Sequence, residues 1–323
     1  MSVIKHEISS SDAQALRAMR AMFAGAPKLK FEPASRAAFD EIIARTPPPE
    51  TVRFEQGEVG GVPGWWCRPK HADDTAVVLY LHGGGYVIGS AAAYRNFVGH
   101  IAERAGAAAF VADYALAPER PFPAATNDIR ALHEGLLARG YERIALCGDS
   151  AGAGLALSFL TDGTAKSERI LGVVAMSPWI DLSVSGESMA SRAEEDPLLS
   201  RATLAEAAAT YLGGHRVEDP RLATLDGDFS MLPPVRIHVG DAEVLLDDSL
   251  RFARKAEQAG RSCEVHVWEG MTHVFPSSFT MLHAAAEALE DIGRFLAGLL
   301  SNSARHERME WLARAKGNHT RSE

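Results

Sequence analysis

Short runs rich in Val, Ile, Leu and Ala alternate with longer amphipathic stretches over most of this chain. The runs are Ala76–Leu81, Ala107–Ala112, Arg143–Cys147, Leu171–Met176, Val235–Val239 and Cys263–Trp268. Their apolar character is continuous rather than alternating, as expected of strands buried on both faces of a sheet. Between them, Ala93–Ala105, Ala124–Ala138, Ala151–Leu160, Asp247–Gly260 and Met281 to about Leu299 carry helical periodicity. Alternation of strand and helix predicts a parallel α/β sheet with right-handed crossovers.

The flanking regions differ in texture. The first 45 residues are predicted helical. Ser11-Asp12 is a cap-like start, with Leu16, Met19, Met22 and Phe23 at helical spacing. A second helix, from about Pro33 to Ala44, ends at Pro47-Pro48-Pro49, which cannot continue it. Val52–Glu55 and Val62–Cys67, joined across Gly60-Gly61, read as a hairpin. Between Asp181 and about Pro220 no strand is expected. A polar loop leads to Asp196-Pro197-Leu198-Leu199-Ser200 and a helical stretch to Tyr211. An insertion after the end of a strand lies over the edge where open α/β sheets bind ligands, and is read as part of a lid. Ser301–Glu323 mixes both charges and is expected to fray.

Composition narrows the function classes without naming one. A length of 323 residues suggests two domains by default, although α/β folds often exceed 250 residues as one. The 33 basic and 42 acidic residues give a net charge of -9, which argues against a nucleic-acid partner. No apolar run approaches the roughly 18 residues of a membrane helix, and Met1–Glu7 lacks a signal-peptide core, so no membrane insertion is expected. Cys67, Cys147 and Cys263 are scattered without metal-binding spacing, so neither metal nor cofactor is expected, and the location expected is cytoplasmic.

Gly148-Asp149-Ser150-Ala151-Gly152 follows one predicted strand and opens a helix. This is G-x-S-x-G in the strand–turn–helix context of a nucleophile elbow, which presents Ser150 Oγ at the sheet edge and at the positive end of a helix dipole. A helix cap with incidental glycines is the plain alternative, and no Gly-Lys-Ser/Thr or GxGxxG supports a phosphate loop. His82-Gly83-Gly84-Gly85 follows another strand. Three glycines let backbone N–H groups converge on an oxyanion, so Gly84 and Gly85, with the N–H of Ala151, are the predicted hole. His82 is read as a brace of that loop. The base is sought on a loop after the last strand, where His273 stands; His100, His133, His238, His266 and His283 fall on helices or inside strands. The acid is sought after Val235–Val239. Asp247 and Asp248 fit helix capping, and position alone leaves Asp241 and Glu243 tied.

Taken together, His82-Gly83-Gly84-Gly85, Asp113-Tyr114-Ala115-Leu116-Ala117-Pro118-Glu119, Gly148-Asp149-Ser150-Ala151-Gly152 and Gly270-Met271-Thr272-His273 resemble the bacterial hormone-sensitive-lipase-like esterases, over about Thr75 to Leu300. Pro121–Ala125 and Ser177-Pro178-Trp179-Ile180-Asp181 match further segments of that family. The resemblance implies an α/β-hydrolase with a mostly parallel eight-stranded sheet, helices on both faces and a helical cap. Two departures stand out. Ala115 replaces the usual Arg, and Val244 replaces the proline of an Asp-Pro-Leu pattern around the acid, which puts Glu243 on the acid's position.

The expected reaction is two-step acyl transfer on a short- to medium-chain ester, with a lactone hydrolase and a non-catalytic ligand-binding relative as alternatives. The expected layout is one domain, its core at about 50–181 and 221–300 and its cap at about 1–46 and 182–220. Met19, Met22, Phe23, Leu198 and Leu199 are candidates to line the cap, and Cys263–Trp268 is expected to be a sheet edge through which two copies pair.

Overall fold

Residues alternate between two buried faces along the central strands, and this alternation builds the molecule. In β4 (Asp73–Leu81), Val77, Leu79 and Leu81 enter one core while Ala76, Val78 and Tyr80 enter the other. The computed structural model describes residues 2–23, 25, 28–163 and 169–301. Among them, β5 (Ala107–Ala112), β6 (Arg143–Asp149) and β7 (Ile170–Met176) are buried at every position, as sandwiched strands must be. The remaining strands are β1 (Ser2–His6), β2 (Val52–Val59), β3 (Val62–Pro69), β8 (Val235–Gly240) and β9 (Cys263–Trp268). They form one sheet in the order β1-β9-β8-β7-β6-β4-β5-β3-β2. Only the β2–β3 and β3–β5 pairings are antiparallel.

The helices are α1 (Ser10–Phe23), α2 (Arg36–Ile43), α3 (Ala91–Ala105), α4 (Ala124–Ala138), α5 (Ser150–Thr161), α6 (Ser188–Ser191), α7 (Arg201–Leu212), α8 (Leu246–Gln258) and α9 (His283–Leu300). On one face α4, α5 and α8 pack through Ile129, Leu132, Leu157 and Phe252. On the other, α3 and α9 pack through Phe97, Ile101, Leu289 and Leu296. α5 is buried along its whole length, as its lack of any polar face requires.

The structure corrects the expected strand count from eight to nine. Ser2–His6, within the segment predicted helical, lies parallel to β9, from Ser2 opposite Glu264 to His6 opposite Trp268. The His6 ring stacks on Trp268 with centroids 3.7 Å apart, a contact across more than 260 residues that no local pattern encodes. The expected pairing of two copies through Cys263–Trp268 falls for the same reason: β8 and β1 occupy both backbone edges of β9.

The two segments expected to form a cap meet each other. Leu29 N–H donates to Leu198 O at 3.3 Å, and Lys28 Nζ reaches Asp196 O. In the insertion, Ser200 caps α7 in a reciprocal box with Thr203, while Leu199, Leu204 and Tyr211 are buried against the core. α1 sits elsewhere: Leu16 is buried with Trp268, Met271 and Phe275, and Met19 packs against the same cluster. The side chains of Met22 and Phe23, and the tail beyond Ser301, lie outside the described residues.

One carboxylate adds to the apolar packing that holds α1. Asp12 is buried, and its two oxygens accept from His283 N at 2.8 Å and Ala284 N at 2.9 Å, capping α9 from a distant part of the chain. Asp12→Ala leaves both N–H groups without this acceptor, the buried one of Ala284 and the part-buried one of His283. The expected loss is about 1–3 kcal/mol in unfolding free energy, read as a lower urea midpoint with an unchanged slope.

Candidate active site

β6 runs directly into α5, and the turn between them is strained at one residue. Ser150 adopts φ +50°, a left-handed conformation that costs a side-chain-bearing residue of order 1–3 kcal/mol. The flanking glycines answer to backbone crowding rather than to flexibility. A Cβ on Gly152 would lie 2.1 Å from Leu81 O, and one on Gly148 2.7 Å from the same atom. β4 can therefore pass close beneath the elbow only if both residues are glycine.

His273 stands on the loop after β9, where Val274 is also left-handed at φ +54°. Its Nδ1 lies 2.9 Å from Glu243 Oε2 and its Nε2 2.9 Å from Ser150 Oγ. A carboxylate only accepts, so in the neutral ring Nδ1 carries the proton and Nε2 accepts from the serine hydroxyl. Glu243 is fully buried, and its other oxygen accepts from Gly240 N at 2.7 Å and Ser177 Oγ at 2.8 Å. Ser177 Oγ in turn accepts from Val274 N at 2.9 Å, joining Glu243 to the loop that carries His273. Burial pulls the His273 imidazole down, but the Glu243 hydrogen bond and the charges of Glu243, Asp196 and Asp149 outweigh it and raise it above its ordinary value.

The other acid candidates do different work. Asp241 accepts from Gly270 N at 2.6 Å and braces the base's loop. Asp248 accepts from Ile180 N and Asp181 N at 2.8 and 2.9 Å, and Asp247 from Glu187 N at 3.1 Å. Position along the chain left Asp241 and Glu243 tied; the geometry brings Glu243 to the imidazole.

The glycine loop is held from beneath. His82 donates through Nδ1 to Gly83 O at 2.7 Å, its carbonyl accepts from Tyr114 Oη at 2.6 Å, and its ring stacks between Tyr94 and Tyr114. The Asp149 carboxylate, to which the sequence reading assigned no role, accepts from Gly83 N at 2.9 Å, Tyr80 Oη at 2.8 Å and Tyr94 Oη at 3.1 Å. Burial raises its pKa while those three donors oppose the rise. With Gly83 engaged, the N–H groups of Gly84 and Gly85 have no protein acceptor among the described residues. Gly84 and Gly85 sit at φ +113° and +61°, and Ala151 follows Ser150 in the first turn of α5. Phe31 packs against Gly85 so closely that a Cβ there would lie 2.6 Å from its ring. The only sequence signals for Asp149 and Ser177 were their places inside G-D-S and S-P-W-I-D.

His238, His266 and Asp291 form a second polar cluster whose donor atoms lie within 4.8 Å of one another. Its chemistry does not suit a cation. The Trp268 indole N–H donates to His238 Nδ1 at 3.3 Å, which requires the ring proton on Nε2, the atom that would ligate. Arg236 already pairs with Asp291 at 2.9 Å.

A serine at a strained strand–helix elbow, a histidine on its hydroxyl and a buried carboxylate behind that histidine, on this sheet, define an α/β-hydrolase. Residues 78–277 match the family model described as alpha/beta hydrolase fold. An acetyl-hydrolase of Streptomyces hygroscopicus is 37% identical over 241 residues, covering 74% of this chain and 80% of that protein. An esterase of Acinetobacter venetianus is 33% identical over 270 residues, covering 82% and 89%. The crystal structure of an esterase from the bacterial hormone-sensitive lipase family is 36% identical, with a TM-score of 0.84 over 91% of this chain and 99% of that one. The chain belongs to the α/β-hydrolases, in the bacterial hormone-sensitive-lipase family.

The imidazole provides a direct test of these contacts. In the native protein His273 is expected to titrate above 6.5 by proton NMR. Glu243→Gln removes the largest contribution that raises the ring, so the titration should move to lower pH. An unmoved titration would mean that Glu243 does not govern the ring.

Proposed function

We propose that the chain is a serine carboxylesterase hydrolysing short- to medium-chain acyl esters through Ser150, His273 and Glu243. One observation carries the reading: the unbroken hydrogen-bond chain from Ser150 Oγ through His273 to buried Glu243, with both links at 2.9 Å, beside glycine N–H groups that no protein acceptor takes among the described residues. In the first step His273 Nε2 takes the serine proton as Oγ attacks the ester carbonyl. The N–H groups of Gly84, Gly85 and Ala151 receive the oxyanion, and the buried Glu243 stabilises the imidazolium that forms. His273 then protonates the departing alcohol, activates water against the acyl-enzyme, and returns the proton to Ser150. No cofactor enters any of these steps.

The cap reading belongs to the same proposal. The segment around Lys28–Phe31, joined to the 182–220 insertion and pressed on Gly85, narrows the acyl side of the site. An acetyl-hydrolase among the relatives supports a preference for small acyl groups. Among the described residues no helix is long and apolar enough to cross a membrane.

p-Nitrophenyl esters test both the chemistry and the pocket. Ser150→Ala and His273→Ala should each lower kcat by about 10³-fold or more, and the double variant should lose little beyond either one, because the residues act as a unit. Glu243→Ala should cost less than these but clearly more than Asp241→Ala; the reverse ranking would reassign the acid. Rates that keep rising beyond about ten acyl carbons would defeat the short-chain preference. The base must be neutral, so kcat/KM should fall as pH drops through the His273 pKa. Because that value is raised, the decline should begin above pH 6.5.

A further inference from the structure

Asp196 lies on the insertion, outside the Ser150–His273–Glu243 chain, yet it is fully buried. One carboxylate oxygen accepts from Leu198 N at 2.8 Å and Leu199 N at 2.9 Å, closing its own loop. The other accepts from Val244 N at 3.0 Å, 48 residues further along the chain. Val244 directly follows Glu243, and the insertion grips it a second time: Ser188 Oγ donates to Val244 O. The Asp196 backbone carbonyl takes Lys28 Nζ, so the same residue also anchors the N-terminal segment.

A loop cap alone does not explain this arrangement. Capping Leu198 and Leu199 uses one oxygen and can be done at the surface, where the carboxylate stays hydrated. Burying the charge is unfavourable unless it is fully hydrogen-bonded, and its second oxygen is directed at the turn that carries the acid. Four groups bear on the His273 ring: Glu243 from the β8–α8 turn, Asp196 from the insertion, Asp149 from the end of β6, and the Ser150 hydroxyl. Asp196 is the only one of the three carboxylates contributed by the insertion.

We infer that Asp196 is a positioning residue for ester hydrolysis: from the insertion, its carboxylate holds the Glu243–Val244 turn in register with His273. The inference rests on the esterase reading above. It makes the insertion a working part of the reacting group as well as a wall of the pocket.

Asp196→Asn retains size and most of the loop cap but removes the charge and leaves one N–H without an acceptor. On p-nitrophenyl butyrate, kcat should fall about 10- to 100-fold with KM changed by no more than about threefold. The acid limb of kcat/KM should move to lower pH, because a negative charge favouring the imidazolium is gone. A purely structural role would lower Tm and raise KM while leaving the acid limb in place, and that result overturns the inference, as does unchanged kcat. If Asp196→Asn does not fold, Val244→Pro removes the N–H that Asp196 accepts, keeps the Asp196 carboxylate and its loop bonds, and adds proline's own restraint on the turn. In Val244→Pro, unchanged kcat, or reduced kcat with the acid limb in place, overturns the inference, and reduced kcat with the limb moved to lower pH, as Glu243 loosens from the imidazole, supports it. Absence of turnover in the native enzyme would instead be the failure of the esterase reading.

Discussion

A carboxylate taken out of water must find donors, and in this fold the donors are backbone N–H groups on other loops. Glu243 takes Gly240 N as well as the Ser177 hydroxyl and the imidazole. Asp149 takes Gly83 N from the glycine loop and two tyrosine hydroxyls. Asp248, whose pKa burial pushes up to about 7, takes Ile180 N and Asp181 N at the root of the insertion. Asp12 takes the first N–H groups of α9. Apart from Gly240 N, which lies in the same turn as Glu243, each bond joins segments far apart in the chain, so satisfying the buried carboxylates also fixes the loops at the carboxyl edge of the sheet. The site is rigid because its acids are buried.

That rigidity is what sustains the strain. Tyr86, Ser150, Ser177, Val184 and Val274 all adopt left-handed backbone, and all lie on the loops that converge at this edge. At about 1–3 kcal/mol each, such residues persist only where the surroundings over-determine them. Ser150 is held between β6 and α5 with glycines admitting β4 beneath; Ser177 and Val274 are tied to each other by the hydroxyl that also serves Glu243. Relaxing Ser177 to ordinary backbone would remove a donor from Glu243, and relaxing Ser150 would take its hydroxyl out of the imidazole's reach. Three of these five residues, Ser150, Ser177 and Val274, lie on the turns that meet at His273 and Glu243.

Much of this was legible in the sequence, for definable reasons. Six strands and five crossover helices were readable because burial on both faces leaves continuous apolar runs, and a helix with one wet face leaves a period. Ser150, His273 and the glycine loop could be named as candidates because strand–turn–helix grammar and chain order single them out, and Ser150 and His273 lie in hydrogen-bond contact. β1 was not, since five residues hold too few positions to set a period and their partners are more than 250 residues away. Asp149, Ser177 and Asp196 share another kind of silence. Each acts through donors contributed by distant segments, and a short polar residue on a loop has the same local signature whether it caps a turn or supports a catalytic group.

Glu243 and Val244 depart together from the Asp-Pro-Leu pattern, and the structure gives a reason for treating them as one change. Glutamate is one methylene longer than aspartate, so its carboxylate needs more support to stay in place. It has that support on one side from Gly240 N and Ser177 Oγ. On the other side the turn itself must be held, and a proline at 244 offers no N–H to hold. Valine restores that donor, and Asp196 accepts from it. The longer acid and the missing proline are therefore consistent with each other: the extra freedom of Glu243 is offset by an N–H through which the insertion fastens its turn.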